Sequence, residues 1–167
     1  MNHTIHSSNY FEGMRKAGNL AASTLDLLVE KVKPGVSTKE LDNIAFDYIV
    51  RHGGLIAPLF YKGYPKSVCT SINHVICHGI PSSRILENGD IVNIDVTVIV
   101  DGWHGDTSRM FPVGKINAKA QKLIDCTFHA MHEGINAAQP NATLGDIGSA
   151  IQTFAEKQNY SVVRDFC

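Results

Sequence analysis

Hydrophobic and polar residues alternate along residues 91–100, and this stretch is the clearest structural signal in the sequence. It reads IVNIDVTVIV, and every even-numbered position is Val or Ile. Because side chains alternate between the two faces of a strand, the pattern predicts a β-strand with one buried apolar face and with Asn93, Asp95 and Thr97 on the other. Asp101-Gly102 follows, a dipeptide typical of two-residue hairpin turns. We therefore expect an antiparallel hairpin.

The parity of this hairpin brings two carboxylates together. If Asp101 and Gly102 are the loop residues, counting back places Thr97 opposite Asp106. Asp95 and Asp106 then become diagonal neighbours on one face, roughly 7–8 Å apart at the backbone. Two carboxylates this close repel each other unless they share a proton or hold a cation; the alternative is an exposed polar face with two solvated acids. The spacing also suits a site for two metal ions, which lie about 3.5–4 Å apart.

Helical periodicity precedes and follows the hairpin. Apolar spacing predicts a helix over residues 9–32 with a start signal from Asn9 and Glu12, and a second helix that follows a capping box at residues 37–40. A third helix is predicted from about Asn117, with an apolar stripe formed by Ile124, Phe128, Met131 and Ile135. A fourth helix is predicted within residues 140–159.

The second and fourth helices begin with related sequences. PGVSTKEL at residues 34–41 matches PNATLGDI at residues 140–147 in its Pro, its Ser or Thr, its acid and its final Leu or Ile, and the following apolar stripes align at the same offset. Chance similarity is the alternative, because Pro followed by a capped helix is common. We interpret the match as an internal duplication, with a first pseudo-repeat at residues 1–115 and the start of a second at residues 116–167. A strand is predicted at residues 161–166, and the repeat pattern predicts a further hairpin beyond Cys167.

Composition and charge indicate a globular domain and give no sign of a nucleic-acid or membrane partner. Hydrophobic residues make up 44% of the chain and charged residues 19%, which is typical of a globular domain with its own core. The net charge of −1 gives no electrostatic reason to expect nucleic acid or an anionic membrane as a partner, and no apolar run reaches the length of a membrane span. The first eight residues lack the features of a signal peptide. We expect a cytoplasmic protein with free thiols at Cys69, Cys77, Cys126 and Cys167.

The segment between the second helix and the hairpin carries further candidates for a site. Residues 57–65 form a loop-like stretch that contains Phe60, Tyr61 and Tyr64, aromatic residues that either wall a pocket or pack onto the body of the protein. His78 precedes Gly79 in the turn-forming stretch CHGIP at residues 77–81. A lone histidine is more often structural or exposed than catalytic, so its role depends on whether this turn faces the two acids.

Four stretches taken together resemble type I methionine aminopeptidase. They are YPKSVCTSIN at residues 64–73, CHGIP at residues 77–81, GDIVNIDV at residues 89–96 and DGWHGDTS at residues 101–108. The resemblance extends from residue 9 to residue 167. It implies an α+β pita-bread fold, in which two pseudo-symmetric halves surround an antiparallel sheet with helices on one face, and a single metallo-aminopeptidase domain over residues 1–167.

The resemblance also implies a role for each candidate residue. Asp95 would bind one metal ion and Asp106 would bridge two divalent ions, with Co, Mn, Fe and Zn as the candidate metals. His78 would be catalytic, contacting the substrate and steadying the scissile amide. The pocket for the methionine side chain would involve Tyr61, Tyr64, Cys69 and, nearby, Trp103.

The reaction implied by the resemblance is removal of the N-terminal methionine. A metal-activated water would hydrolyse the first peptide bond of a nascent polypeptide at the ribosome when the second residue is small. The complete enzyme would be a monomer with no nucleic-acid or membrane partner.

The sequence departs from the family at two places. The family's remaining metal ligands, one His and two Glu, would follow Cys167, so we expect a truncated member that is inactive on its own. Phe60 stands where the family usually has a smaller residue. There are two alternative hypotheses for the function. One is a peptidase of the same fold that cleaves next to proline, and the other is a non-catalytic half-domain that binds a partner.

Overall fold

The computed structural model describes residues 6–164, which form four helices and four strands. The helices are α1 (Ser8–Val29), α2 (Thr38–Arg51), α3 (Ala118–Ala137) and α4 (Leu144–Lys157). The strands are β1 (Leu55–Ile56), β2 (Cys69–Ile72), β3 (Ile91–Val100) and β4 (Trp103–Pro112). A short 3₁₀ turn lies at Tyr61–Gly63. The chain divides into two compact units, Met1–Ile116 and Asn117–Cys167.

The first unit is built on an antiparallel sheet centred on β3. β4 pairs with β3 along ten residues, while β1 and β2 pair with different parts of its opposite edge. The register places Val100 opposite Trp103 and Thr97 opposite Asp106, as the hairpin pattern predicts. Asp101 and Gly102 both have positive φ, at 51° and 83°, which is the backbone of a two-residue hairpin turn. The predicted α+β class with an antiparallel sheet is confirmed.

Helices α1 and α2 cover the even-numbered face of β3. Val92, Ile94, Val96 and Val98 are completely buried there, and they share a core with Leu25 and Leu28 of α1 and with Leu41 and Ile49 of α2. This burial explains the strict alternation along β3, because a shift of one residue would move every apolar side chain to the other face. The odd-numbered face, which carries Asp95, is thereby left on the side away from these helices.

The backbone of α1 approaches β4 closely at Gly105. A Cβ atom on this residue would lie 2.2 Å from the carbonyl carbon of Ala17, so any larger residue would force the helix away from the strand. Gly105 is one residue from Asp106 and on the opposite face of β4. The glycine therefore lets α1 support the strand directly behind the acidic residue.

The starts of the helices agree with the predicted capping in three cases of four. The hydroxyl of Ser37 accepts a hydrogen bond from the Glu40 amide at 3.1 Å, and the Asn117 side chain accepts one from the Ala120 amide at 2.8 Å. The fourth helix has a complete capping box. The start signal predicted for α1 at Asn9 was wrong, because the N-cap of this helix is Ser7, which makes no side-chain capping bond.

The second unit contains α3 and α4, which pack through small residues. Gly134 of α3 lies against Ile147 and Ile151 of α4, and a Cβ atom on Gly134 would meet Ile151 at 2.7 Å. The buried positions of α3 are Cys126, Ala130 and Gly134. Most of the predicted apolar stripe on α3 does not pack against α4, since Phe128, Met131 and Ile135 are exposed.

The strand predicted at residues 161–166 is not present in the part of this segment that the structure describes. Residues 161–164 have no regular secondary structure, and residues 165 and 166 lie outside the described range. A strand requires a neighbouring strand for its backbone hydrogen bonds, and the described part of the second unit is otherwise helical. β-Branched residues alone are therefore not enough to form a strand in this segment.

None of the helices within residues 6–164 has the length and apolar character needed to cross a membrane.

Candidate active site

The β3–β4 hairpin places Asp95 and Asp106 on the same face of the sheet. Asp95 pairs with Ser108, and Asp106 pairs with Thr97, so the two acids are diagonal neighbours. Both line a cleft of about 850 Å³ on the side of the sheet that α1 and α2 leave uncovered. The geometry predicted from the hairpin parity is therefore present in the structure.

The two carboxylates influence each other strongly. Partial burial, followed by the neighbouring Asp106 carboxylate, raises the pKa of Asp95 above its usual range, and His78 acts in the opposite direction. A hydrogen bond between the two carboxyl groups also favours the protonated form of Asp95. This is the behaviour expected of acids that either share a proton or hold a cation between them.

The donor atoms at this site suit a divalent cation but do not complete its shell. Carboxylate oxygens are ligands that divalent ions accept, and a cation would stabilise the charged form of Asp95, which burial and then the neighbouring Asp106 carboxylate disfavour. Within residues 6–164, no group of three or more His, Cys, Asp and Glu side chains is arranged to hold a metal ion. The described residues therefore offer a carboxylate pair at this cleft rather than a complete set of ligands.

His78 lines the same cleft as the carboxylate pair. It follows Cys77 in an exposed turn and has a φ of 54°, a left-handed conformation that is uncommon for a residue with a side chain. The next residue, Gly79, is fixed by hydrogen bonds to β2. The turn that carries His78 therefore faces the two acids, which was the condition for a functional role.

The predicted pocket residues Tyr61, Tyr64 and Cys69 also line the cleft. Cys69 lies on β2 directly opposite Asp95, and burial raises the pKa of its thiol, which keeps the sulfur neutral. Burial and a hydrogen bond with the Cys69 thiol raise the pKa of Tyr64 well above its usual range. These residues form a wall of aromatic rings and one sulfur atom beside the carboxylates.

Trp103 does not line this cleft, and its expected place near the pocket was wrong. Its indole packs against Gly13 of α1, where a Cβ atom would lie 2.4 Å from the ring. The ring centroids of Tyr10 and His6 lie 5.8 Å and 5.6 Å from that of Trp103. Since Trp103 pairs with Val100, it belongs to the helix-covered face of the sheet, opposite to the face of Asp106.

Phe60 stands at the edge of the loop that carries the aromatic wall. It is 78% exposed, has a φ of 67° and is not among the residues that line the cleft. The shape of the pocket is therefore formed by its neighbours rather than by Phe60.

The cleft also contains residues that were not predicted as part of the site, although the sequence pattern had placed one of them, Thr97, on this face of the sheet. Thr97 and His104 share the face of the two acids, and Ile80 follows the His78 turn. Hairpin parity could have identified the first two, because Thr97 lies two residues from Asp95 and His104 two residues from Asp106. Ile80 carried no comparable signal, since its position depends on how the turn folds back.

The cysteines agree with the prediction of free thiols where they are described. Cys69, Cys77 and Cys126 form no disulfide. Cys167 lies outside the described residues.

Comparisons with known proteins bear on the family of this chain. The sequence model of metallopeptidase family M24 matches residues 12–167. Methionine aminopeptidase from Rickettsia prowazekii is 58% identical over 162 residues, which are 97% of this chain and 62% of that protein. The chain spans 62–65% of the length of the first curated relatives that it matches.

Solved structures with the same fold include two kinds of peptidase. The crystal structure of methionine aminopeptidase from Rickettsia prowazekii superposes with a TM-score of 0.96 at 58% identity, covering 98% of this chain and 66% of that one. X-Pro aminopeptidase from Thermotoga maritima superposes with a TM-score of 0.79 at 16% identity, covering 93% of this chain and 43% of that one, which reflects a shared fold alone. The pita-bread fold predicted from the sequence is confirmed.

Proposed function

The chain belongs to metallopeptidase family M24, and we propose that it acts in the metal-dependent removal of the N-terminal methionine from polypeptides whose second residue is small. The observation that carries this proposal is the pair Asp95 and Asp106 in a cleft walled by two tyrosines and a thiol. A carboxylate pair suits hydrolysis by a metal-bound water, and the adjoining wall suits a thioether side chain.

Asp95 and Asp106 would hold the metal. We propose two divalent ions, with Co, Mn, Fe and Zn as candidates, which the Asp95 and Asp106 carboxylates would hold. When bound, such ions polarise a carbonyl group and lower the pKa of a bound water so that it is nucleophilic at neutral pH. The carboxylates would hold the ions at the cleft face of the hairpin, where partial burial strengthens the attraction between opposite charges.

The remaining residues of the cleft would bind and orient the peptide. His78 is the catalytic residue that contacts the scissile amide. Tyr61, Tyr64 and Cys69 contact the methionine side chain, since aromatic rings and a polarisable sulfur pack favourably against a thioether. The raised pKa of Cys69 supports this role, because a neutral thiol does not repel an apolar side chain.

The natural substrate would be a nascent polypeptide whose N-terminal methionine emerges at the ribosome in the cytoplasm. We propose that the complete enzyme is a monomer that needs no direct contact with nucleic acid or membrane. The net charge of −1 supports the expectation of no nucleic-acid or membrane contact, because it offers no attraction to phosphate groups.

Metal binding tests the assignment of the two acids. Asp95→Asn and Asp106→Asn should each abolish calorimetric binding of Mn or Co, whereas Asp101→Asn in the exposed hairpin turn should leave it unchanged. We expect the chain to bind these ions weakly, because two carboxylates leave most of the coordination shell to water. Unchanged binding by Asp95→Asn would contradict the assignment.

Peptide cleavage tests the reaction. Met-Ala-Ser and Ala-Pro-Ser would be offered to the chain alone and to the chain mixed with the part of the Rickettsia prowazekii relative that it does not match. We expect methionine release from Met-Ala-Ser by the mixture, loss of release with a chelator and recovery with Mn or Co. Cleavage of Ala-Pro-Ser instead would assign the cleft to peptides with proline in the second position.

A further inference from the structure

His78 stands in a backbone conformation that a residue with a Cβ atom rarely adopts. Its φ of 54° lies in the left-handed region, which costs conformational energy for any residue other than glycine. Its ring nevertheless lines the cleft with Asp95 and Asp106. Neighbouring contacts must therefore stabilise this turn.

These contacts are hydrogen bonds made by the next residue, Gly79. The Gly79 amide donates to the Ser71 hydroxyl at 3.2 Å, and its carbonyl accepts hydrogen bonds from the Thr70 amide at 2.7 Å and from the Tyr64 hydroxyl at 3.1 Å. A Cβ atom on Gly79 would lie 2.2 Å from the Thr70 carbonyl oxygen, so only glycine permits this approach. The peptide group next to His78 is thus tied to β2 and to the aromatic wall at once.

Tyr64 shares its single hydroxyl proton between the Gly79 carbonyl oxygen and a second carbonyl oxygen. Its hydroxyl lies 2.9 Å from the Val68 carbonyl oxygen, and the Val68 amide donates to the buried Asp42 carboxylate at 3.2 Å. The raised pKa of Tyr64 keeps its hydroxyl protonated, so that it remains a donor throughout the physiological range. The hydroxyl therefore links the start of β2, which helix α2 supports, to the His78 turn.

We propose that Tyr64 and Ser71 are positioning residues for His78, because their hydroxyls fix the Gly79 peptide and so hold the His78 ring in the cleft beside the two acids. The consequence for catalysis rests on the proposed function of His78. The positioning itself rests on the hydrogen bonds around Gly79 and not on any reaction. Tyr64 thereby has a second role that its place in the pocket wall does not require.

Amide hydrogen exchange of the full chain tests the positioning without any activity. Tyr64→Phe keeps the ring and removes only the hydroxyl, so the Gly79 and Thr70 amides should exchange about tenfold faster, the effect of one lost hydrogen bond. The Phe111 amide in β4 should exchange at the unaltered rate. Tyr48→Phe, on α2 and outside the cleft, is the matched control and should leave all three amides unchanged. Unaltered exchange at Gly79 in Tyr64→Phe would overturn the proposal.

Kinetics test whether the hydroxyls act through His78. In the preparation that releases methionine, Tyr64→Phe and Ser71→Ala should each lower kcat about tenfold while KM stays within about twofold, because the misplaced group acts on the reacting bond. In a His78→Ala background, either substitution should have no further effect, since its route to the reaction is gone. Equal losses in both backgrounds would refute positioning. Absence of methionine release from every preparation would refute the proposed function, while the exchange experiment would still decide the positioning.

Discussion

At the scale of single residues, the interior of the first unit contains polar side chains with very different hydrogen bonding. Asp42 is 4% exposed, and its carboxylate accepts hydrogen bonds from the Ser67 and Val68 amides at 2.7 and 3.2 Å. Thr70 is 5% exposed, and its hydroxyl oxygen is the one buried side-chain nitrogen or oxygen atom without a hydrogen-bond partner among the described residues. The Asp42 carboxylate stabilises the loop before β2, whereas the unpaired Thr70 hydroxyl lowers the stability of the folded state.

Asp42→Ala should destabilise the first unit by about 2–4 kcal/mol, because it leaves two buried amides without an acceptor. The free energy of unfolding can be measured in urea by the fluorescence of Trp103, the single tryptophan of the chain. Asp47→Ala on the exposed side of the same helix is the control, and it should change stability by less than about 0.5 kcal/mol. Equal effects of the two substitutions would show that the buried hydrogen bonds contribute nothing.

Thr70→Val should stabilise the same unit by about 1 kcal/mol, because valine replaces an unsatisfied hydroxyl with a methyl group of similar size. The Thr70 amide keeps its bond to the Gly79 carbonyl, so the turn is left intact. Thr70→Ser, which keeps the hydroxyl and loses the methyl group, should destabilise. A loss of stability in Thr70→Val would indicate that the hydroxyl is hydrogen bonded in solution.

Trp103 illustrates what sequence patterns do and do not determine about a site. Hairpin parity alone is sufficient to place Asp95 and Asp106 together, because the side-chain period of a strand is two. The same parity places Trp103 opposite Val100, on the buried face, and therefore excludes it from the cleft. The contribution of His78 could not be derived in this way, since its position depends on long-range bonds between its turn and β2.

At the scale of elements, the contact of α1 with β4 requires the absence of a side chain. Gly105→Ala should destabilise the first unit by about 2–3 kcal/mol, because the new Cβ atom would overlap the backbone of Ala17 and neither element can move without disturbing the core. Gly102→Ala is a useful comparison, since no atom lies within 4 Å of a Cβ atom there but its φ is 83°. It should cost only the backbone strain, about 1 kcal/mol. Urea unfolding of both variants measures the difference.

The start of α4 should depend on pH. The Thr143 amide and hydroxyl donate to the Asp146 carboxylate at 2.7 and 2.8 Å, and these bonds lower the pKa of Asp146. Because the pKa is lower in the folded state, the capping contribution is present above the unfolded-state value of about 3.9 and is lost as the pH falls through the folded-state value. The Thr143 amide resonance should therefore shift on acidification, and Asp146→Asn should remove that shift. A resonance that shifts equally in both proteins would contradict this origin.

Helices were predictable from the sequence to within a few residues, whereas the extended segments near the end of the chain were not. The stripes of α1 and α2 and the cap of α4 are local patterns, and each is present in the structure. Residues 161–164 are β-branched in part but form no strand, because pairing with another strand is a long-range requirement that local sequence does not encode.

At the scale of the whole molecule, the second unit exposes a row of large apolar side chains. In the second unit, Phe128, Met131 and Ile135 are 57%, 44% and 57% exposed and recur at helical spacing along one side of α3. The residues that pack α3 against α4 lie on a different side of the helix. An apolar stripe of this kind is a typical site of association.

The chain should therefore self-associate as its concentration rises, and the stripe on α3 should be responsible. Phe128→Glu combined with Ile135→Lys replaces two apolar side chains while leaving the net charge at −1, so any change reflects lost apolar contact rather than altered repulsion. We expect sedimentation velocity over a concentration series to show association of the unaltered chain and monomers of the double variant. Lys122→Ala, at an exposed position on the other side of the same helix, is the control and should associate like the unaltered chain. A chain that stays monomeric at every concentration, or a double variant that associates equally, would exclude α3 as the contact surface.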